Sequence, residues 1–284
     1  MPEGDTVWLT ARRLHASLAG RRLVRSDLRV PRLATVDLRG RAVTEVVPRG
    51  KHLLTRVDGG LTLHSHLRMD GAWRVFAPGE RWRGGPAHQI RAILGTEEAT
   101  AVGYRLPVLE LLRTSRESTV VGHLGPDLLG PDWDAAEALA RLRAAPERPL
   151  GDALLDQRNL AGIGNVYMSE LCFLARVTPW TPVGEPPAEE ALPRLVDEAA
   201  RLLARNRDHF DRTTTPPGER RARLHVYGRA GRSCLVCATP IRVVADPHGE
   251  PGRERPTYYC PRCQRGPTLT GGAARFGTSP AVPR

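Results

Sequence analysis

Apolar side chains near the start of the chain recur at the spacing of a helix. They fall on one helical face and are followed by Gly20, a residue type that commonly ends helices. The apolar positions are Val7, Leu9, Leu14 and Leu18. The pattern therefore predicts an amphipathic helix over residues 6–19.

Beyond this helix the pattern changes to short alternating or β-branched runs, which continue to about residue 119. Gly, Pro and Asp-Gly sequences separate the runs and are typical of turns. The runs are Arg22–Val30, Ala42–Val47, His52–Val57, Leu61–His66, Ala72–Phe76, Ile90–Leu94 and Thr100–Val102. Many short strands with turns between them predict a β-sandwich.

After residue 122 the pattern becomes helical. Polar caps and prolines mark the starts of four predicted helices. These are a helix capped by Asp134 that runs to about Arg143, one that opens at Pro149, one over Val166–Ala175 and one over Pro187–Arg205. Residues 211–222, rich in Thr, Pro and Arg, are expected to form a mobile loop.

These patterns together predict an α+β protein of several parts. We place a β-sandwich with its flanking helix over residues 2–122, a helical domain over 123–223 and a β-hairpin metal module over 224–264. Residues 265–284, rich in Gly, Pro and Thr, are expected to form a disordered tail. The chain of 284 residues is long enough for two modest domains with their own cores.

The charge balance points to a polyanionic partner. Lys and Arg number 42 against 31 acidic residues, which gives a formal net charge of +11. Such a surplus is most often explained by nucleic acid, although an arginine-rich genome can leave the same surface. We find no apolar run long enough to cross a membrane and no signal peptide, so we expect a soluble cytoplasmic protein without a membrane partner.

Four of the five cysteines form two Cys-x-x-Cys pairs. Between the pairs, Ile241–Ala245 and Arg255–Tyr259 are predicted strands of a hairpin whose turn contains His248. Thiolate pairs at the base of a hairpin predict one closed, structural Zn²⁺ site, and His248 is expected to be a loop residue instead of a ligand. The four ligands are Cys234, Cys237, Cys260 and Cys263.

The chain begins Met1-Pro2-Glu3. Initiator methionine is normally removed before proline, so we expect Pro2 to carry the terminal amine. The reference pKa of a free α-amine lies about 2.5 units below that of lysine, which leaves more of it nucleophilic and suited to Schiff-base chemistry on a sugar aldehyde carbon. Many proteins that begin Met-Pro have no such activity, so the terminus alone leaves both interpretations open.

Four local features after the terminus, three in the strand region and one in the helical segment, have patterns that do not decide their role. Lys51 lies in a predicted turn that is either a charged hairpin turn or a functional one. His64 and His66 share one strand face, as two metal ligands would, but no third ligand is evident nearby. Met69 occupies a turn tip, where it either enters a base stack or folds back into the core. Asn165 follows two glycines at a helix start, a weak pattern for phosphate binding.

Taken in order, these motifs resemble the Fpg/Nei family of DNA glycosylases, and most closely its endonuclease VIII (Nei) branch in high-GC bacteria. The motifs are Pro2-Glu3-Gly4, Arg49-Gly50-Lys51, Ser65-His66-Leu67-Arg68-Met69-x-Gly71, Leu155-Asp156-Gln157, Ala161-Gly162-Ile163-Gly164-Asn165-x-Tyr167, Val226-Tyr227-Gly228-Arg229-x-Gly231 and Arg255-Pro256-x-Tyr258-x-Cys260-Pro261-x-Cys263-Gln264. The resemblance implies a β-sandwich, a helix-two-turn-helix domain over 123–223 and a zinc finger, with DNA in the cleft between them.

The resemblance also implies roles for particular residues. Pro2 would be the nucleophile on C1′ of the damaged nucleotide, Glu3 a proton donor, and Lys51 a lysine of proton transfer and phosphate contact. Arg255 would bind phosphate and take part in δ-elimination. The other implied DNA contacts are the phosphate ligands His66, Asn165 and Tyr227, with Arg68 and Met69 on a loop whose methionine fills the gap left by an everted base.

The implied function is that of a monomeric, bifunctional DNA glycosylase and AP lyase, acting on damaged DNA in the bacterial nucleoid. It would excise oxidised pyrimidines through an N-terminal proline Schiff base and then cut the strand by β,δ-elimination. Two alternatives stay open. One is Fpg-like excision of oxidised purines, and the other is a non-catalytic zinc-finger DNA-binding protein.

Two departures from the family pattern bear on these expectations. The family often has a second carboxylate at position 6, where this chain has Asp5-Thr6. Fpg enzymes also carry an Arg-x-Phe pair on a separate loop, and Val102–Pro107 occupies that region here without a phenylalanine. In this region Arg105 is a candidate to reach the orphan base, but Leu106-Pro107 lacks the aromatic platform that would hold the neighbouring stack, so we expect no strong recognition of an orphan cytosine.

Overall fold

The computed structural model describes residues 2–246 and 254–269. The chain divides into two compact units. The first comprises Met1–Trp133 with Leu203–Phe210, and the second comprises Asp134–Leu202 with Asp211–Arg284. The boundaries of the four predicted segments stay predictions.

The first helix, α1, spans Gly4–Leu18 and so begins two residues before the predicted start. Glu3 has an extended backbone and precedes the first helical residue. The helix buries Val7, Leu14 and Leu18 with other residues of one face, as the apolar spacing predicted. Its N-terminal end therefore lies at the start of the chain, next to Pro2.

Eight strands of the first unit form two antiparallel four-stranded sheets. The predicted β-sandwich is confirmed. The strands are β1 (Arg25–Leu28), β2 (Val43–Arg49), β3 (His52–Val57), β4 (Leu61–His66), β5 (Ala72–Phe76), β6 (Ile90–Gly95), β7 (Thr100–Tyr104) and β8 (Val108–Arg113). Their orders are β1-β6-β7-β5 in one sheet and β2-β3-β4-β8 in the other.

Strand β8 was not among the predicted strands. Its sequence is a run of leucines with Glu110 and lacks both alternation and β-branched residues except at its first position. It pairs along its whole length with β4, with Glu110 opposite His64. Pairing with a distant partner therefore decided its conformation over its local preference.

The sandwich core lies between the sheets and against α1. Leu53 of β3 and Leu63 of β4 point into this core and are fully buried. Since side chains alternate along a strand, the intervening residues His52 and His64 point to the opposite face of the same sheet. That outer face is where the histidines of this region collect.

The remaining helices are α2 (Ser118–Val121), α3 (Ala135–Arg143), α4 (Leu150–Leu155), α5 (Asn165–Leu174) and α6 (Ala188–Asn206). Four of them, α3 to α6, correspond to the predicted ones, whereas the short α2 was not predicted. Asp134 caps α3 because its side chain accepts hydrogen bonds from the backbone N–H groups of Ala136 and Glu137. Helix α5 is buried on all sides, which explains its nearly continuous apolar sequence.

Strands β9 (Arg242–Asp246) and β10 (Arg255–Tyr259) form the predicted antiparallel hairpin. Its turn, with His248, lies outside the described residues. Residues 265–267 were expected to belong to a disordered tail, but they are hydrogen-bonded: Arg265 exchanges backbone hydrogen bonds with Arg176 and Thr178. The rest of the predicted tail beyond residue 269 lies outside the described residues.

Within the described ranges, none of the helices combines the length and the apolar character that a membrane crossing requires.

Candidate functional site

The start of the chain lines a cavity of about 780 Å³ in the first unit. Pro2 is half-buried at this cavity, while the neighbouring Glu3 is fully buried. A buried carboxyl group beside the predicted nucleophile is suited to proton transfer, because exclusion of water strengthens its influence on nearby charges. The structure thus brings Pro2 and Glu3 together at the N-terminal end of α1.

Asp5 and Thr6, where this chain differs from the usual family pattern, have different surroundings. The carboxylate of Asp5 accepts a hydrogen bond from the backbone N–H of Thr6 at 2.7 Å, and Asp5 is buried. Thr6 itself lines the cavity next to Pro2. A hydroxyl-bearing side chain therefore stands at the wall where many relatives of the family would place a carboxylate.

Other walls of the cavity combine cations with aromatic rings. Residues on one face of α1, including Thr10 and Arg13, face Trp73 of β5 and the segment containing Phe210. The guanidinium of Arg13 lies 3.8 Å from the centroid of the Phe210 ring, and the ring is 75% exposed. Such a wall can stack a planar ring and attract an anion.

Lys51 lies in the tight turn between β2 and β3. Arg49 pairs with His52, so the turn consists of Gly50 and Lys51, and Gly50 adopts a positive φ of 55° that favours glycine. The N–H of Gly50 donates a 2.6 Å hydrogen bond to Asp127, a carboxyl group whose pKa is raised by burial. The turn that presents Lys51 is therefore fixed from a second segment of the chain.

Met69 projects from the loop between β4 and β5 and is 63% exposed. The alternative in which it folds back into the core is wrong. Gly71 closes the loop with a backbone hydrogen bond to the carbonyl oxygen of Leu67. A Cβ at position 71 would lie 2.5 Å from that oxygen, so glycine is required there. We call residues 67–71 the methionine loop.

Arg68 and His66 connect the methionine loop to β4. Arg68 has a positive φ of 47°, and its backbone N–H donates to Nδ1 of His66 at 2.9 Å. Burial, with smaller contributions from Lys51, Arg68 and His64, lowers the pKa of His66 to about 4. His66 is therefore neutral at physiological pH, and its remaining proton lies on Nε2, where it can be donated.

Arg105, the candidate for contact with the orphan base, forms hydrogen bonds inside the first unit. Its guanidinium donates to the side chain of Gln89 at 2.6 Å, to the carbonyl of Gly84 and to the carbonyl of Asp70 in the methionine loop. It is half-buried. In this arrangement Arg105 braces the methionine loop.

His64 and His66 were considered as a pair of metal ligands. Nε2 of His64 lies 2.8 Å from Nδ1 of His52, and Nδ1 of His64 lies 3.3 Å from the carboxylate of Glu110. Among the described residues, however, the four cysteines are the one group placed to hold a metal ion. His64 instead belongs to a hydrogen-bonded chain with His52 and Glu110, and His66 accepts from the backbone of Arg68.

Asn165 stands at the first position of α5 and is fully buried. Its Nδ2 donates to the carbonyl of Pro256 at 2.8 Å, one residue after Arg255. Arg255 itself is exposed at the start of β10. The second unit thus links the glycine turn before α5 to the strand that carries Arg255, and direct contact of Asn165 with phosphate stays a prediction.

The backbone of Tyr227 is fixed by Glu170, a residue that none of the sequence motifs identified. Glu170 of α5 is fully buried, and its carboxylate accepts backbone hydrogen bonds of 2.7–2.8 Å from His225, Val226 and Tyr227. It also accepts from the hydroxyl of Thr214. An acidic residue inside the apolar run of α5 was the available sequence signal.

The predicted metal ligands converge at the base of the hairpin. The sulfur atoms of all four cysteines lie within 4.8 Å of one another. Cys234 and Cys263 are separated by 3.8 Å between sulfurs, and Cys237 and Cys260 by 3.5 Å. Zinc–sulfur bonds of about 2.3 Å at tetrahedral angles place sulfurs about 3.8 Å apart, so this donor set fits a structural metal ion.

Two family models match the sequence. The N-terminal domain of formamidopyrimidine-DNA glycosylase matches residues 1–105, and the H2TH domain of the same glycosylase matches residues 124–209. The two matches together cover more than half of the chain and fall on strands β1 to β7 of the sandwich and on helices α3 to α6.

Curated relatives cover nearly the whole chain. The probable endonuclease 8 2 of Streptomyces coelicolor is 68% identical over 280 residues, covering 99% of each protein. The DNA-(apurinic or apyrimidinic site) lyase Nei2 of Mycolicibacterium smegmatis is 48% identical over 268 residues, covering 93% of this chain and 99% of that protein.

A solved structure has the same fold. It is a complex between Lactococcus lactis Fpg and DNA containing an oxidised pyrimidine, with a TM-score of 0.77 and 22% identity. The match covers 93% of this chain and 100% of the Lactococcus chain. At this identity the similarity establishes the architecture alone.

Proposed function

The chain belongs to the formamidopyrimidine-DNA glycosylase and endonuclease 8 family of DNA repair enzymes, and from this premise we propose a bifunctional glycosylase and AP lyase that excises oxidised pyrimidines from DNA. The observation that carries the proposal is the placement of Pro2 at a cavity beside the fully buried Glu3. A cavity next to a nucleophile is the space that an everted base requires.

Pro2 is the proposed nucleophile once Met1 has been removed. Its nitrogen attacks C1′, the glycosidic bond breaks, and the base leaves with its electron pair and a proton supplied by Glu3. Opening of the sugar ring gives an iminium ion between the proline nitrogen and C1′. The burial of Glu3 supports its role, because an acid shielded from water transfers its proton to the substrate instead of to solvent.

The lyase steps follow from the iminium ion. It withdraws electrons and makes the C2′ proton acidic, so loss of that proton expels the 3′ phosphate in β-elimination. A second elimination expels the 5′ phosphate and releases the sugar, leaving a one-nucleotide gap. We assign proton transfer near these steps to Lys51, whose turn is fixed through Gly50 and Asp127. Arg255 is assigned to phosphate binding and δ-elimination.

The preference for oxidised pyrimidines is supported by the hydrogen bonds of Arg105. Its guanidinium is engaged by Gln89, Gly84 and Asp70 and is half-buried, so it is poorly placed to recognise a cytosine opposite an oxidised guanine. Without that recognition, the favoured lesions are those that already pair and stack weakly, since these lower the eversion cost of a few kcal/mol.

We assign DNA contacts to residues of both units. In the first unit these are Lys51, His66, Arg68 and the exposed Met69, which fills the gap left by the everted base. In the second unit they are Asn165, Tyr227 and Arg255. One Zn²⁺ held by the four cysteines keeps the hairpin with Arg255 folded. We propose that the protein acts on damaged DNA as a monomer.

The nucleophile is tested by blocking the chain terminus. Fusion of an N-terminal tag makes the Pro2 amine an amide, and we expect base excision and strand cleavage to fall at least a thousandfold while DNA binding persists. Borohydride should trap the untagged enzyme covalently on abasic DNA. A C-terminally tagged protein is the control, and intact mass establishes that Met1 is absent. An active N-terminally tagged protein would refute the proposal. DNA binding by the untagged protein without trapping or cleavage would also refute it, since that is the behaviour of the non-catalytic alternative.

The lesion preference is tested with single-turnover rates on matched duplexes. Thymine glycol, dihydrouracil and 5-hydroxycytosine should be excised at least tenfold faster than oxidised guanine opposite cytosine. The opposite order would support the Fpg-like alternative. Met69→Ala should slow excision from duplex more than from single-stranded DNA, since only the duplex leaves a gap to fill.

A further inference from the structure

The outer face of the second sheet carries a chain of three side chains from three adjacent strands. Glu110 of β8 lies 3.3 Å from Nδ1 of His64 on β4, and Nε2 of His64 lies 2.8 Å from Nδ1 of His52 on β3. Strand pairing fixes this order, since His64 stands opposite Glu110 in the sheet. None of the roles assigned above uses Glu110, His64 or His52.

The carboxylate at one end determines the direction of the hydrogen bonds. A carboxylate accepts, so Nδ1 of His64 must donate its proton to Glu110. In a neutral His64 the other nitrogen, Nε2, then accepts, and the proton between the two rings belongs to Nδ1 of His52. The consequence is that Nε2 of His52 carries a lone pair and acts as an acceptor.

The surroundings of His52 disfavour a positive charge on its ring. Burial lowers the pKa of His52 to about 3, with further lowering by His66, His64, His123 and Lys51 in that order. The ring of His66 packs edge-on at 4.9 Å and that of His123 at 6.3 Å between centroids. His52 is therefore a neutral imidazole close enough to feel the charge of Lys51.

We propose that Glu110 and His64 are positioning residues that fix the tautomer of His52, so that its Nε2 is an acceptor that orients the Lys51 ammonium group. This inference rests on the proposed function of Lys51. The tautomer matters because a neutral His52 with its proton on Nε2 would direct an N–H donor toward the ammonium group. Two donors repel each other, so that tautomer could not orient Lys51.

One added proton reverses the arrangement. When pH falls, His64 takes up the proton and becomes an imidazolium beside Glu110, with Nδ1–H directed to the carboxylate and Nε2–H directed to His52. Nδ1 of His52 then accepts, and its own proton moves to Nε2. The total charge rises by one and resides on His64, and Nε2 of His52 changes from an acceptor to a donor.

This reversal adds the ionisation of His64 to the acid limb of the activity profile, which the Pro2 amine also shapes because it attacks only when unprotonated. Several groups change the pKa values of His52 and His64 in this hydrogen-bonded chain. They are Lys51, the imidazoles of His66 and His123, and Glu110 at the far end. Burial lowers the pKa of His64, and Glu110 partly opposes that effect. Removing the negative charge of Glu110 therefore makes the imidazolium form harder to reach, and lyase activity should persist to lower pH.

The first experiment reads the tautomer directly and needs no activity. Imidazole ¹⁵N chemical shifts of the full-length, DNA-free protein distinguish a protonated from an unprotonated Nε2, and His52→Gln identifies the signals of His52. We expect Nδ1–H and an unprotonated Nε2 at neutral pH in the wild type. In His64→Leu, which offers no acceptor, the preference should be lost, whereas His64→Gln can retain it through its amide oxygen.

The second experiment measures single-turnover cleavage of a preformed abasic site against pH. The ratio of the Glu110→Gln rate to the wild-type rate cancels the ionisation of the Pro2 amine, which both proteins share. This ratio should rise as pH falls, because the His64 contribution to the acid limb moves to lower pH by about half a unit to one unit, since Glu110 is half-exposed. At pH 7.5 the ratio should stay near one, because the amide oxygen of glutamine can still accept from Nδ1 of His64. Glu97→Gln, an exposed carboxylate in the turn between β6 and β7, is the control and should leave the limb in place. His64→Leu should lose about tenfold in rate, with partial recovery in His64→Gln.

The outcomes separate this inference from the function on which it rests. An active wild type whose acid limb is identical in Glu110→Gln would overturn the inference, and so would a wild-type His52 with its proton on Nε2 at pH 7.5. A wild type without lyase activity would overturn the proposed function instead, while the ¹⁵N shifts would still decide the tautomer.

Discussion

Glu170 offers a quantitative test of how the second unit is held together. Its carboxylate accepts four hydrogen bonds in a fully buried position, from three consecutive backbone N–H groups and the hydroxyl of Thr214. One carboxylate oxygen accepts from the N–H groups of Val226 and Tyr227. The other accepts from the N–H of His225 and the hydroxyl of Thr214. The substitution Glu170→Gln keeps the shape of the side chain but replaces one oxygen with an NH₂ group.

The best arrangement of glutamine keeps its oxygen opposite Val226 and Tyr227. The NH₂ group then faces the N–H of His225, which loses its partner, while the Thr214 hydroxyl can turn to accept. A buried unpaired donor costs about 1–3 kcal/mol, and three bonds that lose a charged acceptor weaken by about 0.5–1 kcal/mol each. The sum is a loss of about 2.5–6 kcal/mol.

Thermal unfolding is the assay. For a protein of this size class, each kcal/mol shifts the Tm by about 2–4 °C, so we expect a decrease of about 5–24 °C. DNA affinity should fall as well, because the segment with Tyr227 loses its anchor. Glu189→Gln is the control in the same unit, since its exposed ion pair with Arg143 is worth at most about 1 kcal/mol. A Glu170→Gln protein within about 1 kcal/mol of wild type would refute this account of the segment.

Two further predictions concern the hairpin. Cys260→Ser should lose both bound zinc and most DNA affinity, since the metal keeps the hairpin folded; metal analysis and binding assays check this, and DNA binding that survives zinc loss would contradict it. Arg255→Ala should leave the zinc content unchanged, weaken binding, and reduce the slope of log affinity against log salt by about 0.9, the value for one phosphate contact. An unchanged slope would assign that contact to another residue.

Local sequence was sufficient for features that depend on neighbouring residues. The extent of α3 followed from its Asp134 cap, and β3, β4 and β5 have the predicted bounds because alternation and turn residues mark them. The convergence of the four cysteines also followed from spacing, since a pair at each base of a hairpin can adopt few other arrangements.

Features that depend on distant partners required the tertiary structure. Strand β8 has a weak local preference for strand and exists because it pairs with β4. No spacing indicated that Glu170 collects the N–H groups of residues 225–227, since a helix and a distant loop must first come together. The same holds for the chain of Glu110, His64 and His52, which joins three strands.

The difference between what sequence and tertiary structure determine is clearest for residues that were identified from sequence but whose environment the sequence left open. The motifs identified Met69 and Asn165 as candidates for DNA contact, but only packing decided that Met69 is exposed and that Asn165 is buried against Pro256. Arg105 was a candidate from its position alone, and packing decided that it is engaged within its own unit. A residue type sets the chemistry that is possible at a position. Burial and hydrogen-bond partners, which come from residues far away in the chain, decide whether that chemistry is available.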